Sequence, residues 1–192
     1  MSTRERILDA AVERIASDGI GAVRIARIAM DARVSTALVH YHFATREALL
    51  AEALEHSFET AGAVRDEPGD PATRLRSMVE QCLPLPGEQG RDWVLWVELW
   101  LRAVRHPELR PTAAKLYARM HVWLREAIEA GDYGPVDADA IADRTLALID
   151  GYGVRALLGD PAMPLERARE EVWHALAGEL GLRASAPSGQ VR

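Results

Sequence analysis

The chain has 192 residues, a formal net charge of -6 at neutral pH and one cysteine, Cys82. One cysteine excludes an intramolecular disulfide, and the acidic total argues against a protein whose whole surface is basic. The longest apolar stretch, 94–104, is interrupted by Glu98 and Arg102 and is far shorter than the roughly 20 residues of a membrane span. The first thirty residues lack the pattern of a secretory signal, so we expect a cytoplasmic protein without a membrane partner.

Positive charge is concentrated in residues 19–46, within an otherwise acidic chain. Asp31 is the only acidic residue of this segment, and its cations are Arg24, Arg27, Arg33 and Arg46. A local patch of this kind can meet phosphates while the rest of the surface stays acidic.

Helical signals dominate the first sixty residues, and no run alternates with the period of a strand. Ser2 and Glu5 have capping-box spacing, and Gly19 is placed to end the helix that they begin. Three more helices are predicted from caps and from apolar positions at helical spacing. They span Arg24–Ala32, Ser35–Tyr41 with Phe43 closing it, and Thr45 to about Ala61.

The remainder of the chain also favours helices. Asp70 with Pro71 predicts a helix start, and that helix should stop near residues 84–90. Four longer helices are predicted near Arg91–Arg105, Glu108–Ala130, Asp137–Leu158 and Leu165–Leu180. We therefore predict an all-α protein of about nine helices, with a small N-terminal head at 1–61, a helical body at 62–182, and a disordered tail at 183–192.

Residues 24–43 have the pattern of a helix-turn-helix, in which the second helix lies in the major groove of DNA. Six apolar side chains can form its internal wedge: Ile25, Ile28, Ala29, Val34, Leu38 and Val39. Five residues of the second helix are left to face outward: Thr36, Ala37, His40, Tyr41 and His42.

Residues 25–50 read IARIAMDARVSTALVHYHFATREALL, and this stretch resembles the signature of the tetracycline-repressor family of transcription regulators. The resemblance extends over about sixty residues from Ser2 to Ala61. It implies a two-fold dimer formed by the last two long helices, a palindromic operator in double-stranded DNA, and a small-molecule cavity in the body. It also implies that the regulator is a repressor released by its ligand.

The resemblance assigns roles to single residues of the head. Thr36 and Ala37 occupy positions that meet bases, Tyr41 occupies a phosphate-contacting position, and His40 could do either. Ser35 and Thr45 can offer donors to phosphates. Two positions depart from the family pattern, because Arg46 stands where a lysine is usual and Arg33 stands where a glycine is usual.

Other interpretations of the head stay open at this point. The three helices could pack only against the body, without a DNA role. His40 and His42 could be considered as metal ligands, but positions i and i+2 of a helix diverge in direction, so we expect no metal and no cofactor. We expect ten residues to form the DNA-binding face: Arg24, Arg33, Ser35, Thr36, Ala37, His40, Tyr41, His42, Thr45 and Arg46.

Four tryptophans mark the predicted body. Trp93, Trp96 and Trp100 have spacing i, i+3 and i+7, so they project from one helix face, and Trp123 adds a ring from the next helix. Four polar or aromatic residues could line the same volume: Tyr117, His121, Asp150 and Tyr152. Glu98 and Glu126 are two more carboxylates that could border it.

This aromatic set has two interpretations, an ordinary core or a pocket for a cation. Ring faces and a carboxylate in a dry site attract positive ligands. The tryptophan-rich region followed by Asp150-Gly151-Tyr152 resembles the choline-responsive branch of the family, which implies a quaternary ammonium or polyamine ligand.

The last two helices each carry an apolar stripe. The stripe of the first contains Ile141, Thr145, Leu148, Ile149, Tyr152 and Ala156, and that of the second contains Leu165, Ala168, Val172, Leu176 and Leu180. These stripes could pack against the body alone, or they could form a four-helix interface across a two-fold axis.

Two other protein classes compete with a regulator. An all-helical enzyme is disfavoured because no nucleophile, base and orienting residue stand at recognisable spacing, and the six histidines are scattered. A pure interaction protein would share the helical body but would not bind DNA.

Overall fold

The computed structural model describes residues 1–61, 69–84 and 91–182, and these residues form helices without any strand. The α-helices are α1 (Thr3–Asp18), α2 (Ile25–Asp31), α3 (Thr36–His42), α4 (Arg46–Ala61), α5 (Pro71–Gln81), α6 (Arg91–Arg105), α7 (Arg110–Glu129), α8 (Ala138–Leu157) and α9 (Leu165–Glu179). A 3-10 turn, η1 (Pro107–Leu109), precedes α7. The predicted all-α architecture is confirmed.

Local caps explain why the helices begin where they do. Ser2 Oγ accepts the Glu5 N–H at 3.2 Å and the Glu5 carboxylate accepts the Ser2 N–H, so the predicted capping box is present. Asp70 accepts the amides of Ala72 and Thr73 and begins α5 ahead of Pro71. The predicted helix starting at Glu108 begins two residues later, because Pro107–Leu109 forms the 3-10 turn.

The described residues fall into two compact units. The first takes its residues from Met1–Val64 and Pro86–Tyr117, and the second from Arg65–Leu85 and Ala118–Arg192. In the first unit α6 packs on α1 and α4, so α6 and the start of α7 group with the N-terminal helices rather than with α8 and α9. The functional boundary at residue 61 stays a prediction, and the predicted tail at 183–192 lies outside the described residues.

The core of the first unit joins α1, the helix-turn-helix and α4. Of the predicted wedge, Ile28, Ala29 and Val39 are buried, while Ile25, Val34 and Leu38 are half-buried. The apolar positions predicted for α4 are all buried: Leu49, Leu50, Ala53, Leu54 and Phe58. Burial of this helix fixes its first turn, which directly follows α3.

In the second unit α9 packs against both α8 and α5. The predicted stripe of α9 is buried at Ala168, Val172, Leu176 and Leu180, and that of α8 is buried at Ile141, Thr145 and Ile149. These side chains form the core of the chain itself. Leu148, Tyr152 and Ala156 of the first stripe and Leu165 of the second are only half-buried. The four-helix interface across a two-fold axis stays a prediction.

Candidate DNA interface and aromatic cluster

The second helix of the helix-turn-helix, α3, presents one face to solvent. Ser35 Oγ accepts the Leu38 N–H at 3.1 Å and begins the helix, and Phe43 ends it by donating its N–H to the Val39 carbonyl. Ser35, Thr36, Ala37 and His40 are exposed, and Tyr41 is 82% exposed. His42 is half-buried, with its ring edge-to-face against that of Tyr41. An exposed face on a short helix held by a buried Val39 is suited to entering a groove.

Arg33 occupies the turn between α2 and α3 in the left-handed conformation, with φ 56°. Its N–H bonds to the Met30 carbonyl at 3.1 Å, and the Val34 N–H bonds to the Ala29 carbonyl at 2.9 Å. These two bonds form a Schellman motif, which requires positive φ at this residue and is usually made by glycine. The turn keeps its expected geometry, and the arginine adopts it.

Residues 19–46 are more positive than their sequence indicates. The carboxylate of Asp31, their only acidic residue, lies 2.5 Å from Arg14 Nε of α1. Arg24, Arg27 and Arg33 of the same segment are exposed. Sequence reasoning missed Arg14, because its partner lies 17 residues further along the chain.

The first turn of α4 follows α3 closely. Thr45 Oγ1 caps this helix by accepting the Ala48 N–H at 3.0 Å. Arg46 is half-buried, and its guanidinium donates to the carbonyls of Val23 at 3.1 Å and of Ile20. The predicted phosphate contact of Arg46 stays a prediction, and the structure adds two backbone partners that sequence reasoning missed.

Metal binding receives no support from the described part of the chain. Within it, no group of three histidine, cysteine, aspartate or glutamate side chains could hold a metal ion.

Five aromatic rings come together in the first unit. Trp96 lies 6.0 Å from Trp100 and 5.6 Å from Tyr117 between ring centroids. Trp93 meets Trp100 edge-to-face at 6.0 Å, and Trp100 stacks on Tyr117 at 6.3 Å. The fifth ring is Phe58 of α4, 5.7 Å from Trp96. We call Phe58, Trp93, Trp96, Trp100 and Tyr117 the aromatic cluster.

One atom of the aromatic cluster is chemically unsatisfied. Trp100 Nε1 is buried and has no hydrogen-bond partner in the described residues. A buried N–H without an acceptor costs about 1 to 3 kcal/mol, so such a group in a native protein commonly signals a missing partner.

The other four predicted ligand residues belong to the second unit. His121 Nε2 lies 3.3 Å from the Asp139 carbonyl oxygen and 3.3 Å from an Asp143 carboxylate oxygen. Trp123 has the Arg119 guanidinium 5.7 Å from its ring centroid. Asp150 and Tyr152 are half-buried on α8.

Of the two additional carboxylates, Glu98 does not belong to the aromatic face. Glu98 turns away from the tryptophans, and its Oε2 accepts the Ile20 N–H at 3.2 Å. Two residues along a helix rotate by about 200°, which places Glu98 opposite Trp96. Glu126 is exposed on α7. The prediction that Glu98 borders the cluster is therefore wrong.

An exposed reading helix, a Schellman turn and an arginine patch define a helix-turn-helix DNA-binding protein with a helical body. Residues 7–53 match the family model described as bacterial regulatory proteins, tetR family, and residues 71–181 match that of the BetI-type transcriptional repressor, C-terminal domain. The chain thus belongs to the TetR family of transcriptional regulators, with a BetI-type C-terminal domain, and it is a regulator rather than an enzyme.

Similar proteins agree with this assignment over most of the chain. The transcriptional regulator BetI of Paraburkholderia xenovorans is 26% identical, over 82% of this chain and 84% of its own. A transcriptional regulator from Saccharomonospora viridis, solved in complex with choline, is 33% identical with a TM-score of 0.75, covering 88% of this chain and 92% of its own. A TetR-family regulator from Rhodococcus sp. is 27% identical with a TM-score of 0.83, covering 94% and 100%.

No helix within the described ranges is long and apolar enough to span a membrane.

Proposed function

We propose that this regulator is a cytoplasmic repressor that binds a palindromic operator as a homodimer and leaves it when a small cation binds. The observation that carries the DNA half is the exposed face of α3 beside Arg24, Arg27 and Arg33. Arginines around the helix position it on phosphates, while Thr36 and Ala37 read base edges. The pairing of Asp31 with Arg14 supports this role, because it compensates the only acidic charge of residues 19–46.

The ligand proposed for the aromatic cluster is a quaternary ammonium compound such as choline. Rings of tryptophan and tyrosine attract cations through their faces, by about 2 kcal/mol or more where water is excluded. The unsatisfied Trp100 Nε1 supplies a donor for a ligand oxygen, such as the hydroxyl of choline. The relative from Saccharomonospora viridis was solved with choline bound. The predicted contributions of His121, Trp123, Asp150 and Tyr152 stay predictions.

The proposed dimer uses the solvent faces of α8 and α9. Ala147, Gly151 and Gly178 are exposed, and a Cβ added at either glycine would meet nothing within 4 Å in this chain. A glycine inside a helix costs about 1 kcal/mol relative to alanine, so the fold of one chain gives no reason for it. Close approach of a second copy would provide that reason. A two-fold axis would then set two copies of α3 about 34 Å apart, one turn of DNA.

Operator binding under choline titration tests the two halves together. A duplex selected from random sequence serves as operator, and tryptophan fluorescence and operator affinity are followed on the same samples. We expect choline to change the fluorescence and to weaken operator binding 5- to 150-fold, the usual range of coupling. Tyr117→Ala should abolish the choline effect, while the exposed Glu13→Ala serves as control. Operator binding that choline leaves unchanged, with unchanged fluorescence, would contradict the choline proposal and favour an ordinary core.

A further inference from the structure

The loop between α1 and α2, residues 19–23, is held by charged side chains from two different helices. Glu98 of α6 accepts the Ile20 N–H at 3.2 Å. Arg46, the first residue of α4, donates to the Ile20 carbonyl and to the Val23 carbonyl. Both polar groups of the Ile20 residue are therefore occupied by side chains distant in sequence, and its own side chain is 2% exposed.

The loop fits closely against α6 on both sides of Ile20. Gly19 has φ 73°, and a Cβ there would lie 3.2 Å from Glu98 Oε1. A Cβ on Gly21 would clash with Arg102 Nη2, so the guanidinium of Arg102 rests against the bare backbone. Glu98 and Arg102 lie one helical turn apart on the same face of α6. Gly19 and Gly21 allow the loop to pack closely against both side chains.

Glu98 and Arg46 lie on helices that serve different parts of the proposed function. Glu98 lies on α6, which serves ligand binding, and Arg46 lies on α4, which follows the DNA-binding helix α3. α6 carries Trp93, Trp96 and Trp100 of the aromatic cluster, on the face opposite Glu98. Arg46 begins α4 four residues after His42, the last residue of α3. A rotation of α6 about its axis would shift Glu98. Because Glu98 and Arg46 both bind the Ile20 backbone, this shift would displace Arg46 and the end of α3.

We propose that Glu98 and Arg46 are positioning residues that couple the aromatic cluster to α3 through the Ile20 backbone. This inference rests on the proposed function. It also gives Arg46 a role other than a phosphate contact, since its guanidinium bridges two carbonyls with separate N–H groups. A lysine at this position keeps the charge but lacks the planar pair of N–H donors that bridges the two carbonyls.

The test is the factor by which choline changes operator affinity, measured in four variants. Glu98→Ala removes the acceptor of the Ile20 N–H, whereas Glu98→Gln keeps an amide oxygen there. We expect the factor to fall to about 1 to 2 in Glu98→Ala, from the 5- to 150-fold range typical of coupled sites, and to survive in Glu98→Gln. Arg46→Lys should also lower it. The double variant Glu98→Ala/Arg46→Lys should be no worse than either single one, because both act through one residue.

Hydrogen exchange of the Ile20 amide gives a second readout that needs neither DNA nor ligand. Exchange should be about tenfold faster in Glu98→Ala than in the unchanged protein and close to normal in Glu98→Gln. A choline response that persists in Glu98→Ala would overturn the coupling while leaving the proposed function intact. If the unchanged protein shows no choline response, the proposed ligand fails, and unaltered Ile20 exchange in Glu98→Ala would then overturn the connection itself.

Discussion

Arg14 Nε of α1 lies 2.5 Å from a carboxylate oxygen of Asp31, at the end of α2. The same guanidinium lies 3.3 Å from Asp18. The contacts with the two carboxylates, Asp31 first, raise the pKa of Arg14. Asp31 is thereby held against α1 and its charge is compensated where the DNA backbone would approach.

Arg14 should support operator binding through its pairing with Asp31. Arg14→Gln should lower operator affinity several-fold, because it leaves the Asp31 charge uncompensated beside phosphates. Asp31→Asn added to Arg14→Gln should restore most of the affinity. Fluorescence anisotropy with a labelled operator at low salt measures both. Equal losses in the single and double variants would show that Arg14 acts through folding, which urea denaturation would reveal independently.

Replacement of Thr36 and replacement of Arg24 should change operator binding in different ways. Thr36→Ala removes a group assigned to base reading, so it should change the preferred base at one operator position by about 1 to 3 kcal/mol. Arg24→Gln should weaken binding about equally on all sequences and reduce the salt slope by about 1. Parallel selection from random duplexes and salt titration separate the two effects. A salt slope that Arg24→Gln leaves unchanged would remove Arg24 from the phosphate contacts.

Replacement of Arg33 by glycine should change stability and DNA binding in opposite directions, because this residue lies in the Schellman turn. A residue with a Cβ in the left-handed region costs about 1 kcal/mol or more, so Arg33→Gly should raise the free energy of unfolding by up to about that amount. The same change removes an exposed cation and should weaken operator binding. Arg33→Ala is the matched control, because it removes the charge but keeps the Cβ. Urea unfolding that shows no gain for the glycine variant over the alanine variant would contradict this account of the turn.

The half-buried Cys82 should react more slowly in the folded protein than in the unfolded one. Burial, aided by the charge of Asp150, raises the pKa of its thiol to about 12. The thiolate is the nucleophile, so alkylation by iodoacetamide at pH 8 should be about a thousandfold slower than in urea. Because the folded thiol holds its proton more tightly than the unfolded one, its contribution to stability is present below about pH 9 and is lost as pH rises toward 12. Rapid native alkylation would show that the thiol is accessible.

Gly151 tests the proposed dimer. Gly151→Leu places a branched side chain on the exposed face of α8 and should shift the protein to monomers in sedimentation at micromolar concentration. A leucine at the exposed Ala114 of α7 is the control and should leave the dimer intact. A dimer that tolerates leucine at position 151 would place the interface elsewhere.

Local patterns predicted the helices well. Ser2 with Glu5, Asp70 with Pro71, and Ser35 before α3 act within three residues, so a cap and its partner are readable together. The predicted span Arg91–Arg105 agrees with α6 at both ends, although residues 85–90 before it lie outside the described ranges. The positive φ of the Arg33 turn followed from the family pattern, even though the residue itself argued against it.

Contacts distant in sequence could not be predicted in the same way. Trp93, Trp96 and Trp100 were recognisable by helical spacing, but Phe58 joins them from another helix, and its apolar position on α4 indicated burial only. Glu98 lay near the rings in sequence yet faces Ile20, because direction around a helix matters more than proximity along it. The stripes of α8 and α9 showed that apolar faces exist but not whether the chain itself covers them.

The most direct test of the central claim is the ratio of affinities for a selected palindrome and for a duplex of the same composition in shuffled order. We expect the palindrome to bind at least about a thousandfold more tightly at physiological salt, with one dimer per site. Tyr41→Ala, which alters the most exposed aromatic side chain of α3, should weaken binding to the palindrome. Equal affinity of the unchanged protein for the two duplexes would contradict sequence-specific recognition by α3.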